Sequence, residues 1–167
     1  HQWFGDLVTL RWWDDIWLNE AFASWMGNKA AQAAYPAFDF ALDTQTDAAQ
    51  AMRTDTRQHQ RPIRQAIGRD EDISATFDPI TYDKGAGMLA MLEQFVGASA
   101  FREGVRAYLK AHAYGSASAG DFITAIASAG REPRLVDALD SYLSQRGLPE
   151  LALDLSCTDD GGSLSLV

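Results

Sequence analysis

The sequence predicts a mainly α-helical fold that ends in a short β segment. Apolar side chains recur at three- and four-residue steps in five stretches, whereas only the C-terminal tail alternates as a strand does. Gly147 and Pro149 separate the two regions, because neither residue type continues a helix. We therefore expect a helical unit over residues 1–148, followed over residues 149–167 by the truncated start of a β domain.

The first two helices are indicated by their starts and stops. Asp14 and Asp15 suit the N-terminus of a helix, since carboxylates interact favourably with the helix dipole there. Its apolar positions continue to Pro36, which ends it. A second, more polar helix is predicted over about residues 36–53.

A connection without periodicity divides the helices. Residues 54–77 are rich in Arg, Gln, Asp and Gly, so we expect an extended surface segment, with His59 exposed on it. Helical periodicity returns from residue 80 to Gly97 and resumes to about residue 109.

The C-terminal third carries a helix-capping motif and a hairpin pattern. Ser118 with Asp121 three positions later resembles a capping box, and it opens a short helix that Gly130 closes. A last helix is expected over about residues 133–146. The stretches "LALDLS" and "LSLV", separated by "DDGG", are typical of two strands joined by a turn.

Composition narrows the classes of partner. The 23 acidic and 14 basic residues give a net charge of -9, which opposes binding to nucleic acid or to anionic lipid. Cys157 is the only cysteine, so neither an internal disulfide nor a thiolate metal cluster can form. No apolar run reaches the roughly 20 residues that a transmembrane helix needs.

Two stretches carry the candidate chemistry. The first is "HQWFGDLVTLRWWDDIWLNEAFASW", in which eighteen residues separate His1 from Glu20, and the second is "ITYDKGAGML", which contains Tyr82. A lone His and Glu at this spacing would be unremarkable, but the flanking words match together. They resemble the zinc aminopeptidases of the aminopeptidase N family, of the gluzincin type.

The resemblance implies a site and a fold. In that family the zinc motif is H-E-x-x-H, then eighteen residues, then E within W-L-N-E-G-F-A. His1 would be the second zinc-binding histidine and Glu20 the third ligand, while the hydroxyl of Tyr82 would stabilise the tetrahedral intermediate. Two imidazoles and one carboxylate leave a zinc position open for a water molecule. The fold implied is the helical lobe of a thermolysin-like catalytic domain.

Departures from the family pattern limit what this piece is expected to do. The first histidine, the general-base glutamate and the Gly-x-Met-Glu-Asn segment that grips the free amine of the substrate are absent from the 167 residues. Ala21 stands where the family usually has glycine, and Gln60 and Arg61 break a His-Pro-Ile pattern. We expect a fragment of a zinc-dependent aminopeptidase that acts on peptides with a free N-terminus beside the remaining domains of its parent. Alone, it should bind zinc weakly and be inactive.

Other interpretations remain open from the sequence. The chain could be a non-catalytic helical scaffold or interaction domain, or part of a gluzincin hydrolase with a different activity. The tryptophans are expected to be buried in the core. Asn19 could orient a ligand or be a surface amide, and Asp83 and Lys84 are taken as structural.

Overall fold

The computed structural model describes residues 1–56, 61–158 and 161–166, and His59 lies outside them. Within these residues the fold is mainly α-helical, as the sequence predicts, with a short strand pair at the C-terminal end. The helices are α1 (Ile16–Ala34), α2 (Phe40–Asp55), α3 (Gly85–Val96), α4 (Ala98–His112), α5 (Ala119–Gly130) and α6 (Leu135–Ser144).

The N-terminal part of helix α1 lies in the core. It follows a 3-10 turn at Trp13–Asp15 and buries Trp17, Leu18 and Phe22. The carboxylate of Asp15 does not cap α1. It accepts hydrogen bonds from Arg64 Nε at 2.7 Å and from the backbone N–H of Ala119 at 3.0 Å, and so joins three distant parts of the chain.

An aromatic cluster holds the opening residues against the helices. The ring of Phe4 stacks on Phe22 of α1, with 3.7 Å between the ring centroids, and on Tyr108 of α4 at 5.5 Å. Phe122 of α5 meets both Phe4 and Tyr108 edge-on. Burial of these large apolar surfaces fixes residues 1–8 although they contain no helix.

Two short strands were not predicted from the sequence. β1 (Val8–Leu10) and β2 (Gly115–Ala117) pair in parallel, with Val8 opposite Gly115. Three-residue strands are too short to show an alternating pattern, so only the tertiary structure reveals them.

The prediction of a surface connection over residues 54–77 is wrong in part. Ile63 and Ile67 are buried, and a 3-10 segment occupies Asp70–Thr76. The segment is held to the core because the indole N–H of Trp12 donates to Ile67 O at 2.8 Å, and Arg64 N donates to Leu143 O at 2.9 Å. Isolated isoleucines in a polar segment give no periodic signal of burial.

The prediction that the five tryptophans are buried in the core is correct for only some of them. Trp17 is buried and Trp25 packs against the core, but Trp3, Trp12 and Trp13 are exposed by 54%, 51% and 38%. These three lie before α1, where the chain crosses the surface. Their amphipathic rings need only one covered face.

The remaining boundaries agree with the sequence to within a few residues. The Ser118–Asp121 capping box is formed at the start of α5. Strands β3 (Leu153–Thr158) and β4 (Gly161–Leu166) form an antiparallel hairpin, while Asp159 and Asp160 of its expected turn lie outside the described residues. A division at residue 148 stays a prediction. In the part of the chain described, no helix is long and apolar enough to cross a membrane.

Candidate functional site

The structure brings together the side chains of His1 and Glu20. The Nε2 atom of His1 lies 3.1 Å from Oε2 of Glu20, although nineteen positions separate them in the chain. Glu20 projects from α1 and is only 9% exposed, whereas the imidazole of His1 is half exposed. Glu20 is therefore enclosed by the protein, whereas the imidazole of His1 is accessible to solvent.

Tight turns hold His1 in place. The carbonyl oxygen of His1 accepts a hydrogen bond from the N–H of Asp6 at 3.1 Å, and Gly5 adopts a φ of 127°. A β-carbon on Gly5 would lie 2.9 Å from the carbonyl oxygen of His1, so the turn requires glycine for space as well as for conformation. The turn formed by the stretch "HQWFG" thus determines where His1 lies.

Tyr82 interacts with the same carboxylate from another element. It lies in a π-helical turn, Ile80–Lys84, that leads directly into α3. Burial raises the pKa of the Tyr82 phenol, and hydrogen bonding and charge repulsion from Glu20 raise it further. A tyrosine is protonated at neutral pH even at its ordinary pKa, and this shift favours the protonated form further.

Asn19 is also buried beside His1. It is 8% exposed and lines a cavity of about 380 Å³ together with His1, Phe22 and Met26. Among the described residues its Oδ1 atom has no hydrogen-bond partner. Of the two alternatives that the sequence left open, the surface amide is wrong.

Further residues anchor the turn that carries Tyr82. The ammonium group of Lys84 donates to Asp55 Oδ2 at 2.6 Å and to Gly147 O at 2.9 Å, which makes Lys84 structural, as expected. Asp78 and Arg61 hold the start of the turn. Sequence reasoning missed Asp55, Asp78 and Arg61; only Asp78 had a local signal, because an Asp before Pro79 is typical of a helix start.

The donor set suits part of a zinc site. Imidazole nitrogen and carboxylate oxygen each bind zinc at about 2.0–2.2 Å, so two such ligands at a tetrahedral angle lie roughly 3.3–3.6 Å apart. The observed 3.1 Å between His1 and Glu20 is close to that spacing. No group of three or more His, Cys, Asp and Glu side chains that could hold a metal ion occurs in the parts of the chain that are described.

Comparison with known proteins identifies the family. The model of the peptidase family M1 domain matches residues 1–142. The chain belongs to peptidase family M1. The resemblance to the aminopeptidase N family, which rested on two short words, is thereby confirmed over most of the chain.

Proteins similar in sequence to this chain come from distant organisms. The tricorn protease-interacting factor F2 of Thermoplasma volcanium is 39% identical over 155 residues, which is 92% of this chain and 20% of that protein. Aminopeptidase M1-B of Oryza sativa subsp. japonica is 35% identical over 166 residues, covering 99% and 18%. Glutamyl aminopeptidase of Bitis rhinoceros is 37% identical over 161 residues, covering 95% and 16%. The chain thus spans about a fifth of the length of the curated relatives it matches.

Proposed function

We propose that this chain is the helical part of the catalytic domain of a zinc-dependent M1 aminopeptidase, which removes N-terminal residues from peptides. The observation that carries the proposal is the contact between His1 Nε2 and Glu20 Oε2 at 3.1 Å, within a chain that matches the family model. Relatives named as aminopeptidases support the class of reaction. Residues 149–167 would then begin the following β domain.

His1 and Glu20 are the residues that would hold zinc in this chain. When bound, zinc would polarise the scissile carbonyl and lower the pKa of a water molecule toward neutrality. The carboxylate of Glu20 is fixed by its burial in α1, so it needs little reorganisation to act as a ligand. Near it, the protonated hydroxyl of Tyr82 would donate a hydrogen bond to the substrate oxygen on which negative charge develops.

Residues 1–167 are expected to be inactive by themselves. They supply one histidine and one glutamate of a set that needs two histidines, the ligand glutamate and a general base. The segment that would bind the free amine of the peptide is not among them either. We therefore propose weak zinc binding and no hydrolysis for this chain in isolation.

Zinc competition with a chromogenic chelator tests the ligand assignment on the 167-residue chain. His1→Ala and Glu20→Gln should each weaken zinc binding at least roughly tenfold, since each removes half of the proposed donor pair. His112→Ala is the matched control, because it removes a histidine at the end of α4 that is not one of the proposed ligands. Equal affinity for all four proteins would overturn the assignment.

Activity is tested on the full-length product of the gene that encodes this chain. It should hydrolyse amino-acid p-nitroanilides, lose this activity to a chelator, and regain it with zinc. Tyr82→Phe should lower kcat by about 10²–10³ with the protein still folded and zinc still bound. A full-length protein that binds zinc at His1 and Glu20 but hydrolyses no peptide or amide would favour a non-catalytic scaffold instead.

A further inference from the structure

Arg61 makes a dense set of contacts at the start of the turn that carries Tyr82. Its guanidinium group pairs with the carboxylate of Asp78 through both oxygens, at 3.1 Å from Nε and 2.5 Å from Nη2. Nη2 also lies 2.6 Å from the hydroxyl of the fully buried Thr81. The side chain of Arg61 is only 14% exposed and that of Asp78 33%, so these contacts are partly shielded from water.

The same guanidinium group fixes its own segment. It donates to the carbonyl oxygens of Pro62 at 3.0 Å and Ile63 at 3.3 Å, and to that of Thr76 at 3.1 Å. Residues 61–63 and 76–81 are thus joined through one planar group. A bidentate, partly shielded pair of this kind is geometrically specific, and lysine cannot reproduce it.

Asp78 connects Arg61 to the backbone of Tyr82 through hydrogen bonds. Its Oδ1 atom accepts from the backbone N–H of Ile80 at 2.9 Å and of Thr81 at 3.2 Å. Its carbonyl oxygen accepts from the N–H of Tyr82 at 3.2 Å. The backbone of Tyr82 is therefore bonded directly to the residue that Arg61 holds.

We propose that Arg61 is a positioning residue that fixes the hydroxyl of Tyr82 opposite Glu20 through Asp78. The inference rests on the proposed function for the role of Tyr82, although the contacts themselves do not. It assigns a role to Arg61, one of the two residues that break the His-Pro-Ile pattern of the family. We name the pair of Arg61 and Asp78 the clamp.

The direct test measures how strongly Tyr82 senses Glu20. The chain has five tyrosines, so ring carbons labelled with ¹³C give a small set of signals, and Tyr82→Phe assigns the one from Tyr82. Glu20→Gln should shift that signal in the otherwise unchanged chain. In an Arg61→Lys background the shift should fall to less than about half, because the two groups are no longer held together.

Arg69→Lys is the matched control. Arg69 also pairs with an aspartate through both oxygens, Asp72, at 3.0 Å and 2.8 Å, but its side chain is 71% exposed. Glu20→Gln should shift the Tyr82 signal fully in this background. Asp78→Asn breaks the clamp from the other side and should act as Arg61→Lys does. Thermal melting shows which variants are folded at the temperature of measurement.

The proposal is wrong if Glu20→Gln shifts the Tyr82 signal as much in the Arg61→Lys and Asp78→Asn backgrounds as in the chain with an intact clamp. A second arm uses the zinc-loaded full-length protein. Arg61→Lys should lower kcat by roughly 10- to 100-fold and leave KM within about twofold, as expected for a misplaced transition-state donor. Unchanged kcat in Arg61→Lys beside a large loss in Tyr82→Phe would also overturn it. If the unmutated protein hydrolyses nothing, the proposed function fails and the labelled-tyrosine experiment alone decides on the clamp.

Discussion

The α-carbon of Gly85 lies against the side chain of Ala21. A β-carbon on Gly85 would be 2.7 Å from the β-carbon of Ala21, closer than two such atoms can approach. Ala21 follows Glu20 on α1, and Gly85 begins α3 three residues after Tyr82. The absence of a side chain at Gly85 therefore lets the element that carries Tyr82 reach the helix that carries Glu20.

Gly85→Ala should destabilise the chain by about 1–3 kcal/mol, because the added methyl group overpacks the contact. Ala21→Gly in the same chain should recover part of that loss by removing the opposing methyl group, although it weakens α1 by up to about 1 kcal/mol. Urea unfolding of the four members of the cycle measures the coupling. Gly87→Ala is the control, since among the described residues no atom beyond its chain neighbours and its own helix backbone lies within 4 Å of the added carbon, and it should be neutral or slightly stabilising. Additive effects of the first two changes would contradict this account.

The ion pair of Lys84 and Asp55 should be among the most sensitive sites in the chain. Asp55 is fully buried and the side chain of Lys84 is 12% exposed. Lys84→Met leaves a buried carboxylate without its counter-charge and should cost about 3–5 kcal/mol in the free energy of unfolding. Adding Asp55→Leu should cost less than the sum of the single changes.

Lys29→Met provides the comparison for Lys84→Met. Lys29 pairs with Glu93 but is 48% exposed, so its loss should cost about 0–1 kcal/mol by the same urea measurement. Similar losses at Lys84 and Lys29 would show that the burial of the Lys84 pair has no energetic consequence.

The capping box of α5 should make the stability of the fold depend on pH in the acidic range. Hydrogen bonds from the backbone and the hydroxyl of Ser118 lower the pKa of Asp121 below its ordinary 3.8, and Arg11 and His112 lower it further. A lowered pKa in the folded state stabilises the fold above that ordinary value, and the contribution is lost as the pH falls through the folded value. Asp121→Asn should therefore cost about 1 kcal/mol at pH 7 and progressively less below about pH 4.

Melting curves between pH 2 and pH 7 measure this difference for Asp121→Asn. Asp154→Asn removes the same charge from the exposed C-terminal hairpin and should change stability by less than about 0.5 kcal/mol at pH 7. A penalty for Asp121→Asn that stays constant down to pH 2 would contradict the assignment.

Deletion of residues 149–167 tests the predicted domain boundary. The described residues of the hairpin are exposed, including Leu153, Leu155, Leu164 and Leu166, so the hairpin contributes little to the helical core. The chain ending at residue 148 keeps Gly147, whose carbonyl oxygen binds Lys84. Its melting temperature should equal that of the whole chain within about 2 °C, because few buried contacts are lost. A drop of 10 °C or more would show that the hairpin belongs to the helical unit.

Whether the sequence could predict a feature depends on how far apart along the chain the interacting residues are. Helices are indicated by a periodicity that shows within a few residues. The capping box is likewise indicated locally, by Ser118 and Asp121. Partners such as Arg61 with Asp78, or Lys84 with Asp55, lie 17 and 29 positions apart and follow no repeating pattern. Only the tertiary fold pairs them.

The candidate site is indicated by a different kind of signal, the resemblance of short stretches to a family. The words around His1, Glu20 and Tyr82 resemble those of that family, and in the structure the carboxylate of Glu20 lies 3.1 Å from the imidazole of His1 and, in addition to burial, raises the pKa of Tyr82. Their roles in binding zinc and in catalysis stay predictions. Neither composition nor spacing indicated how His1 is held, which depends on the turn at Gly5 and on the rings of Phe4 and Phe22.

The parallel pairing of Val8 with Gly115 has a consequence for the order of folding. The segment that carries His1 is docked by a strand from far along the chain, and closing so large a loop is slow because its entropic cost precedes the contacts that offset it. Glu20 can be in its helix within microseconds, since helices form locally. The stacking of Phe4 on Phe22 is local, but the strand pairing that completes the docking of this segment needs residues 115–117, so the final placement of His1 beside Glu20 should be reached late in folding.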